Sequence, residues 1–181
     1  GAGHQLNCEV RAATKRTLTL DMQHKTFPPP LPCQITLLQA VPKAKAMDYI
    51  VQKATELGAA RVVPVLSERA VIQIDGEHAT DKVEKWQQIA IESIKQCGSP
   101  WLTKIETPVT LKNYLARREK FDLPLIASLQ EDRRHPREFI QQFRDEHNRL
   151  PATACVWIGP EGDFSPAEMN VLKAAGALPM T

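Results

Sequence analysis

The stretch Val156-Trp157-Ile158-Gly159-Pro160-Glu161-Gly162-Asp163-Phe164-Ser165-Pro166-Ala167-Glu168 narrows the fold more than any other part of the sequence. The apolar run 154–158 has the length of a core strand. Gly159 and Gly162 open backbone conformations closed to other residues and let a ligand approach closely. Ser165 and Glu168 form an S-x-x-E capping box, with Pro166 at the first helical position. A strand, a glycine loop and a capped helix in that order predict a parallel α/β sheet, which keeps its ligand at the carboxyl ends of its strands. A plain strand-to-helix turn fits the same residues, because short glycine motifs also arise by chance.

The loop's charges narrow the ligand. A glycine-preceded helix start commonly binds phosphate. Here Glu161 and Asp163 stand in the loop with no lysine or arginine beside them, and two carboxylates repel a phosphate. They suit a neutral or partly cationic ligand, such as an adenosine bearing a sulfonium and an ammonium group.

The rest of the chain alternates in the same way. Strands are expected at 35–41, 61–66, 102–106 and 123–128, and helices at 45–57, 81–97, 110–120, 136–147 and 165–175. That alternation defines a doubly wound α/β domain over residues 34–181. Pro28-Pro29-Pro30-Leu31-Pro32 excludes helix and predicts an extended linker over 28–33. Before it, residues 6–10 and 18–22 alternate imperfectly about a basic turn and read as a β-hairpin. Because a lone hairpin is marginal in water, residues 1–27 are expected to be part of a small β-barrel.

The 181 residues, 43% hydrophobic, suffice for one full domain or one domain and a fragment. No apolar run has the length of a membrane span, and no signal peptide opens the chain. Cys8, Cys33, Cys97 and Cys155 lack C-x-x-C spacing, which argues against a metal site or a disulfide framework and for a reducing cytoplasm. The net charge of +2 lies in residues 1–33, where Arg11, Lys15 and Arg16 cluster. Such a cluster serves either as a solvated turn or as an RNA contact. The five histidines read as solvated, and Trp86, Trp101 and Trp157 as core or interface anchors.

Ile158-Gly159-Pro160-Glu161-Gly162, followed by Phe164 and S-x-x-E, resembles the knotted SPOUT methyltransferases. A second block narrows the resemblance to the small-subunit ribosomal RNA methyltransferase E family: Lys45, Met47-Asp48, Lys53, Glu56-Leu57-Gly58, Pro64 and Ser67-Glu68-Arg69. Gln96-Cys97-Gly98 with Pro100 adds a weaker third. Two positions depart from the pattern. Asp163 stands where the family usually has glycine, and Ser99 lies near the place of an expected arginine.

The resemblance implies a trefoil-knotted Rossmann-like sheet preceded by part of a PUA-like RNA-binding barrel. It implies transfer of a methyl group from S-adenosylmethionine to N3 of a uridine in small-subunit (16S) ribosomal RNA, within an assembled particle, by a homodimer without metal or membrane. The last residues, 176–181, are expected to stop short of the next strand and of the segment that threads the knot. Backbone groups of Gly159, Pro160, Glu161 and Gly162, with Ser128 and Leu129 at the preceding strand end, are the cofactor candidates. Arg69 is the catalytic candidate, because a guanidinium pairs with phosphate or with a pyrimidine oxygen; a surface ion pair with Glu68 is its alternative. Glu68 and Glu161 are the acids available as general base, and neither has a visible partner. Arg11, Lys15, Arg16, Lys45 and Lys53 are candidate RNA contacts. A non-catalytic RNA-binding module on this scaffold, or a ribose 2′-O-methyltransferase, stays open beside the uridine enzyme.

Overall fold

The computed structural model describes residues 3–42, 46–69, 76–161 and 163–181, without the side chains of 76–78. Strands β1 (Gln5–Ala13) and β2 (Leu18–Thr26) form an antiparallel ribbon, longer at both ends than the sequence pattern suggests. Thr14 makes the turn: its hydroxyl accepts the amides of Arg16 (3.2 Å) and Thr17 (3.0 Å). All of its strand residues are exposed, including the cross-strand pairs Cys8–Met22 and Val10–Leu20.

The proline segment is docked rather than free. Trp101 donates its indole N–H to the Pro28 carbonyl (3.2 Å) and meets the Phe27 ring edge-on. Gly3 lies flat on the same indole, where a Cβ would fall 2.4 Å from the ring.

Beyond it lies a parallel sheet in the order β5-β4-β3-β8-β7-β9, with β6 also on β4. Its strands are β3 (Gln34–Ala40), β4 (Arg61–Leu66), β5 (Lys104–Ile105), β6 (Val109–Thr110), β7 (Leu123–Ala127), β8 (Thr153–Ile158) and β9 (Leu178–Met180). The connecting helices are α1 (Ala46–Glu56), α2 (Gly76–Cys97), α3 (Leu111–Ala116), α4 (Pro136–His147) and α5 (Pro166–Ala174). Strand alternation divides the core. Leu38, Val63, Val65, Ile126, Cys155 and Trp157 face α3 and α5, where they meet Leu111, Tyr114, Met169 and Leu172. Leu37, Val62 and Ile105 face α1 and α2 through Met47, Val51, Trp86 and Ala90, and Leu123, Leu125 and Ala154 face Phe139 of α4. Each fully buried Leu or Ile side chain here contributes about 1.5–3 kcal/mol. The two-faced burial explains why these strands read as continuous apolar runs.

Three expectations need correction. Residues 176–181 do not stop short of a strand: Leu178–Met180 pairs with β7 in parallel, and the Ser128 amide bonds the Met180 carbonyl (3.0 Å). A short run with a central proline has no strand pattern of its own, and the open edge of β7 imposes one. Helix α2 begins at Gly76, ahead of Asp81, since nothing in residues 77–80 breaks it. Helix α3 ends at Ala116, where Arg117 caps it and Arg118 turns left-handed (φ 51°). The described histidines are exposed, as expected; His135 also serves as the N-cap of α4, accepting the Arg137 amide (3.2 Å), and His147 stacks on Phe143.

Pro64 accounts for the broken edge strand. The Glu106 amide bonds the Val62 carbonyl (3.0 Å), so Val62 turns its polar backbone toward β5. Two residues on, Pro64 faces the same way without an N–H to give. The ladder therefore stops after Ile105 and resumes only at Val109.

Candidate functional site

The carboxyl ends of β7, β8 and β9 meet in a depression of about 310 Å³, lined by Ser128, Leu129, Gly159, Pro160, Asp163 and Met180 among others. The β8–α5 loop forms one wall. It closes tightly, with the Asp163 amide on the Pro160 carbonyl (3.0 Å). A Cβ on Gly159 would lie 2.8 Å from the Phe164 nitrogen, so only glycine lets the loop fold back here. Beyond the loop, the expected capping box is present: the Ser165 hydroxyl accepts the Glu168 amide (3.2 Å), and the Glu168 carboxylate accepts the Ser165 amide (3.0 Å).

Asp163, the departure from the family pattern, is left-handed (φ 72°). Aspartate tolerates that region because its short side chain bonds locally. Its Oδ1 accepts the Phe164 amide (2.8 Å), and its Oδ2 faces the Leu129 amide at 3.5 Å. This loop carboxylate is thus tied to backbone.

The opposite wall is the turn after β7. The buried Ser128 hydroxyl accepts the Gln130 amide (3.1 Å), while the Leu129 side chain stands 79% exposed. Arg133 grips the carbonyls of Leu129 (2.9 Å) and Gln130 (2.8 Å). Lys173 of α5 braces the turn from outside, bonding Gln130 and Asp132 at 2.7 Å each.

Ser67-Glu68-Arg69 approaches from the end of β4. Arg69 reaches the Asp163 carbonyl through Nη1 (3.4 Å), and the Glu68 amide bonds Glu168 Oε1 (2.8 Å). Glu68 and Arg69 are exposed, and Ser67 is buried. A cleft of about 690 Å³ flanks this turn between α3 and α5.

The structure thus brings Ser128, Leu129, Gly159 and Pro160 into one depression, with Arg69 at its margin. Glu161 is exposed in the same loop; Gly162 and Lys45 lie outside the described residues. Lys53 is elsewhere, in the last turn of α1, which returns the chain to the start of β4. Its ammonium bonds Glu56 (2.7 Å) and sits over the Tyr49 ring. That bond raises the Lys53 pKa and lowers that of Glu56. Arg11 pairs with Asp21 on the ribbon (3.6 Å), and Lys15 and Arg16 are exposed near its turn. Sequence reasoning missed Met180, Arg133 and Lys173, whose roles depend on strand and helix ends that only folding brings together. Among the described residues, no group of three His, Cys, Asp or Glu could hold a metal ion, and no helix is long and apolar enough to cross a membrane.

A parallel α/β sheet with a backbone-lined depression at its strand ends defines a small-ligand site of the doubly wound class. Comparison with known proteins gives the family. Residues 29–181 match the model of the RNA methyltransferase domain. The ribosomal RNA small subunit methyltransferase E of Aquifex aeolicus is 33% identical over 171 residues, which cover 93% of this chain and 69% of that protein. The protein of the same name from Bacillus subtilis is 27% identical over 173 residues, 94% of this chain and 66% of its own length. Among solved structures, a putative methyltransferase from Legionella pneumophila in complex with the cofactor SAM superposes with a TM-score of 0.85 at 27% identity, over 99% of this chain and 71% of that one. The chain belongs to the RNA methyltransferase domain family.

Proposed function

We propose that this chain carries the methyl-transfer site of an enzyme that uses S-adenosylmethionine to methylate N3 of a uridine in small-subunit (16S) ribosomal RNA. The observation that carries the reading is the pairing of a backbone-walled depression with Arg69 at its margin. Arg69 bonds the same loop that Gly159 shapes. The names of the Aquifex and Bacillus relatives and the cofactor of the Legionella protein support it.

The residues present fit the cofactor. Gly159 lets the loop fold back on itself beside the depression, and the loop sequence carries carboxylates and no lysine or arginine, which suits a cationic ligand. Ser128, Leu129, Gly159, Pro160, Glu161 and Gly162 hold it. When bound, S-adenosylmethionine supplies an electrophilic methyl group on its sulfonium. Arg69 orients the acceptor base and stabilises the negative charge that grows on the pyrimidine oxygens as N3 loses its proton. Glu68, exposed on the same turn, accepts that proton. Residues 1–27 belong to a PUA-like RNA-binding barrel, 28–33 are the linker, and 34–181 belong to a SPOUT domain with a trefoil knot. Arg11, Lys15, Arg16, Lys45 and Lys53 meet RNA phosphates. The working form is a cytoplasmic homodimer, in which the basic ribbon of one subunit serves the site of the other.

The test is methylation of undermodified small-subunit particles by the intact protein with labelled S-adenosylmethionine, followed by digestion to nucleosides. Label in 3-methyluridine is expected. Label in a 2′-O-methylnucleoside would replace the base-methylating reading with the ribose one. RNA binding without incorporation would leave a non-catalytic module.

A further inference from the structure

Glu168 does more than cap a helix. A capping box asks only that its carboxylate accept the Ser165 amide, which Oε2 does at 3.0 Å. Oε1 accepts a second amide, that of Glu68 at 2.8 Å, from a segment 100 residues away in the chain. The carboxylate is buried, with Glu168 only 6% exposed, and its two oxygens take one backbone N–H each, from two separate loops. Nothing in the cap requires that burial or that second bond.

We infer that Glu168 is a positioning residue that sets the Ser67-Glu68-Arg69 turn at a fixed height against the Gly159–Ser165 loop. The inference rests on reading this site as one of methyl transfer. The buried Ser67 hydroxyl has no hydrogen-bond partner among the described residues, so it is not what anchors the turn. The strut does, and Arg69 then reaches the Asp163 carbonyl from a turn already placed. The loop that holds the donor and the turn that holds the acceptor are thereby fixed to one carboxylate.

The chemistry of the strut is specific. Both neighbours of the carboxylate are N–H donors, so both of its oxygens must accept. Glutamine has the same shape but only one acceptor; its NH2 would face one of the two amides donor to donor. A buried donor left unpaired is costly, so one of the two loops must move.

Two variants of the intact protein separate positioning from capping. Ser165→Ala removes the hydroxyl of the cap and leaves the strut. Glu168→Gln keeps the cap hydroxyl and the side-chain shape and breaks the strut. For each, cofactor affinity, kcat and KM for RNA, melting temperature and hydrogen exchange at the Glu68 and Ser165 amides are measured. Glu168→Gln is expected to lower kcat by about ten- to a hundredfold, to leave cofactor affinity near wild type, and to speed exchange at Glu68 or Ser165. Ser165→Ala is expected to lower the melting temperature while kcat and Glu68 exchange stay near wild type. Equal loss of kcat in both variants, or unchanged exchange at both the Glu68 and the Ser165 amides in Glu168→Gln, would overturn the inference. A wild-type protein that methylates no RNA would instead overturn the functional reading, while exchange at the two amides still reports whether the strut exists.

Discussion

The two ends of the sheet are held together by different chemistry. At the amino ends, charged side chains clamp the strands. Arg61 bonds Thr36 on β3 (3.2 Å), Glu106 (3.1 Å) and Glu119, while Arg117 adds a second bond to Glu106 (2.7 Å). The Tyr114 hydroxyl donates to Glu119 (2.8 Å). Asp122 takes a two-pronged Arg149 (2.8 and 2.9 Å) and the Ala152 amide (2.8 Å). At the carboxyl ends, backbone groups and single side-chain caps do the holding: Asp163 on Pro160, Ser128 on Met180, Glu168 on Ser165 and Glu68. The charged end borders a hollow of about 410 Å³ whose walls are side chains, among them Tyr114, Arg118, Glu119 and Trp157. At the other end the backbone of two loops walls a depression of about 310 Å³, and Arg133 and Lys173 brace the turn that forms one of those walls. Where a ligand must enter, rigid backbone gives shape without placing a side chain in the way.

The most severe test of that contrast is Gly159→Ala. Its Cβ would meet loop backbone on the far side at 2.8 Å, and calorimetry should show cofactor binding lost. Normal binding would mean that the depression is only a strand-to-helix turn. Arg61→Ala should do the reverse. It leaves Glu106 hydrogen-bonded by Arg117 alone and Glu119 by Tyr114 alone and should cost about 1–2 kcal/mol of stability in a denaturant titration, with cofactor affinity unchanged. A loss of affinity there would show that the two ends are coupled.

Arg69→Ala sharpens the comparison within the carboxyl end. Cofactor binding should persist while transfer to small-subunit particles falls by about a hundredfold or more. Full transfer would return Arg69 to a surface ion-pair role.

The smallest effect is expected from Asp122→Asn. Arg149 and the Ala152 amide hold the Asp122 carboxyl well below its ordinary value of 3.8. A carboxylate with a lowered folded-state pKa stabilises the protein above its unfolded-state pKa, and that contribution fades as pH falls through the folded one. Asp122→Asn should therefore be less stable than wild type at neutral pH, and the gap should narrow below about pH 4. A gap that is constant with pH would assign the loss to packing.

Much of the fold was legible because its signals are local. Ser165, Pro166 and Glu168 mark the start of α5 within four positions of sequence, and Gly159 marks the close turn before it. Cys155 reads as core from its apolar neighbours; it is buried, and burial pushes its thiol up to about 12. The site was legible in outline for the same reason. Its cross-links were not. Nothing near Glu168 announces Glu68, and nothing near Asp163 announces Arg69 or Leu129, because each bond joins strand ends that are neighbours only in the folded sheet. β9 escaped for a related reason, since its conformation comes from β7 rather than from its own residues.

Pro64 has an effect beyond splitting a ladder. A long open strand at the margin of a sheet is a template on which another molecule can add its own strand and begin a fibre. Here that margin is cut into Lys104–Ile105 and Val109–Thr110, each two residues long, with Pro108 between them. Neither piece offers enough consecutive backbone groups to seed such growth. One proline in an inner strand thus protects the outer border of the sheet from self-association during folding, when the helices have not yet covered its faces.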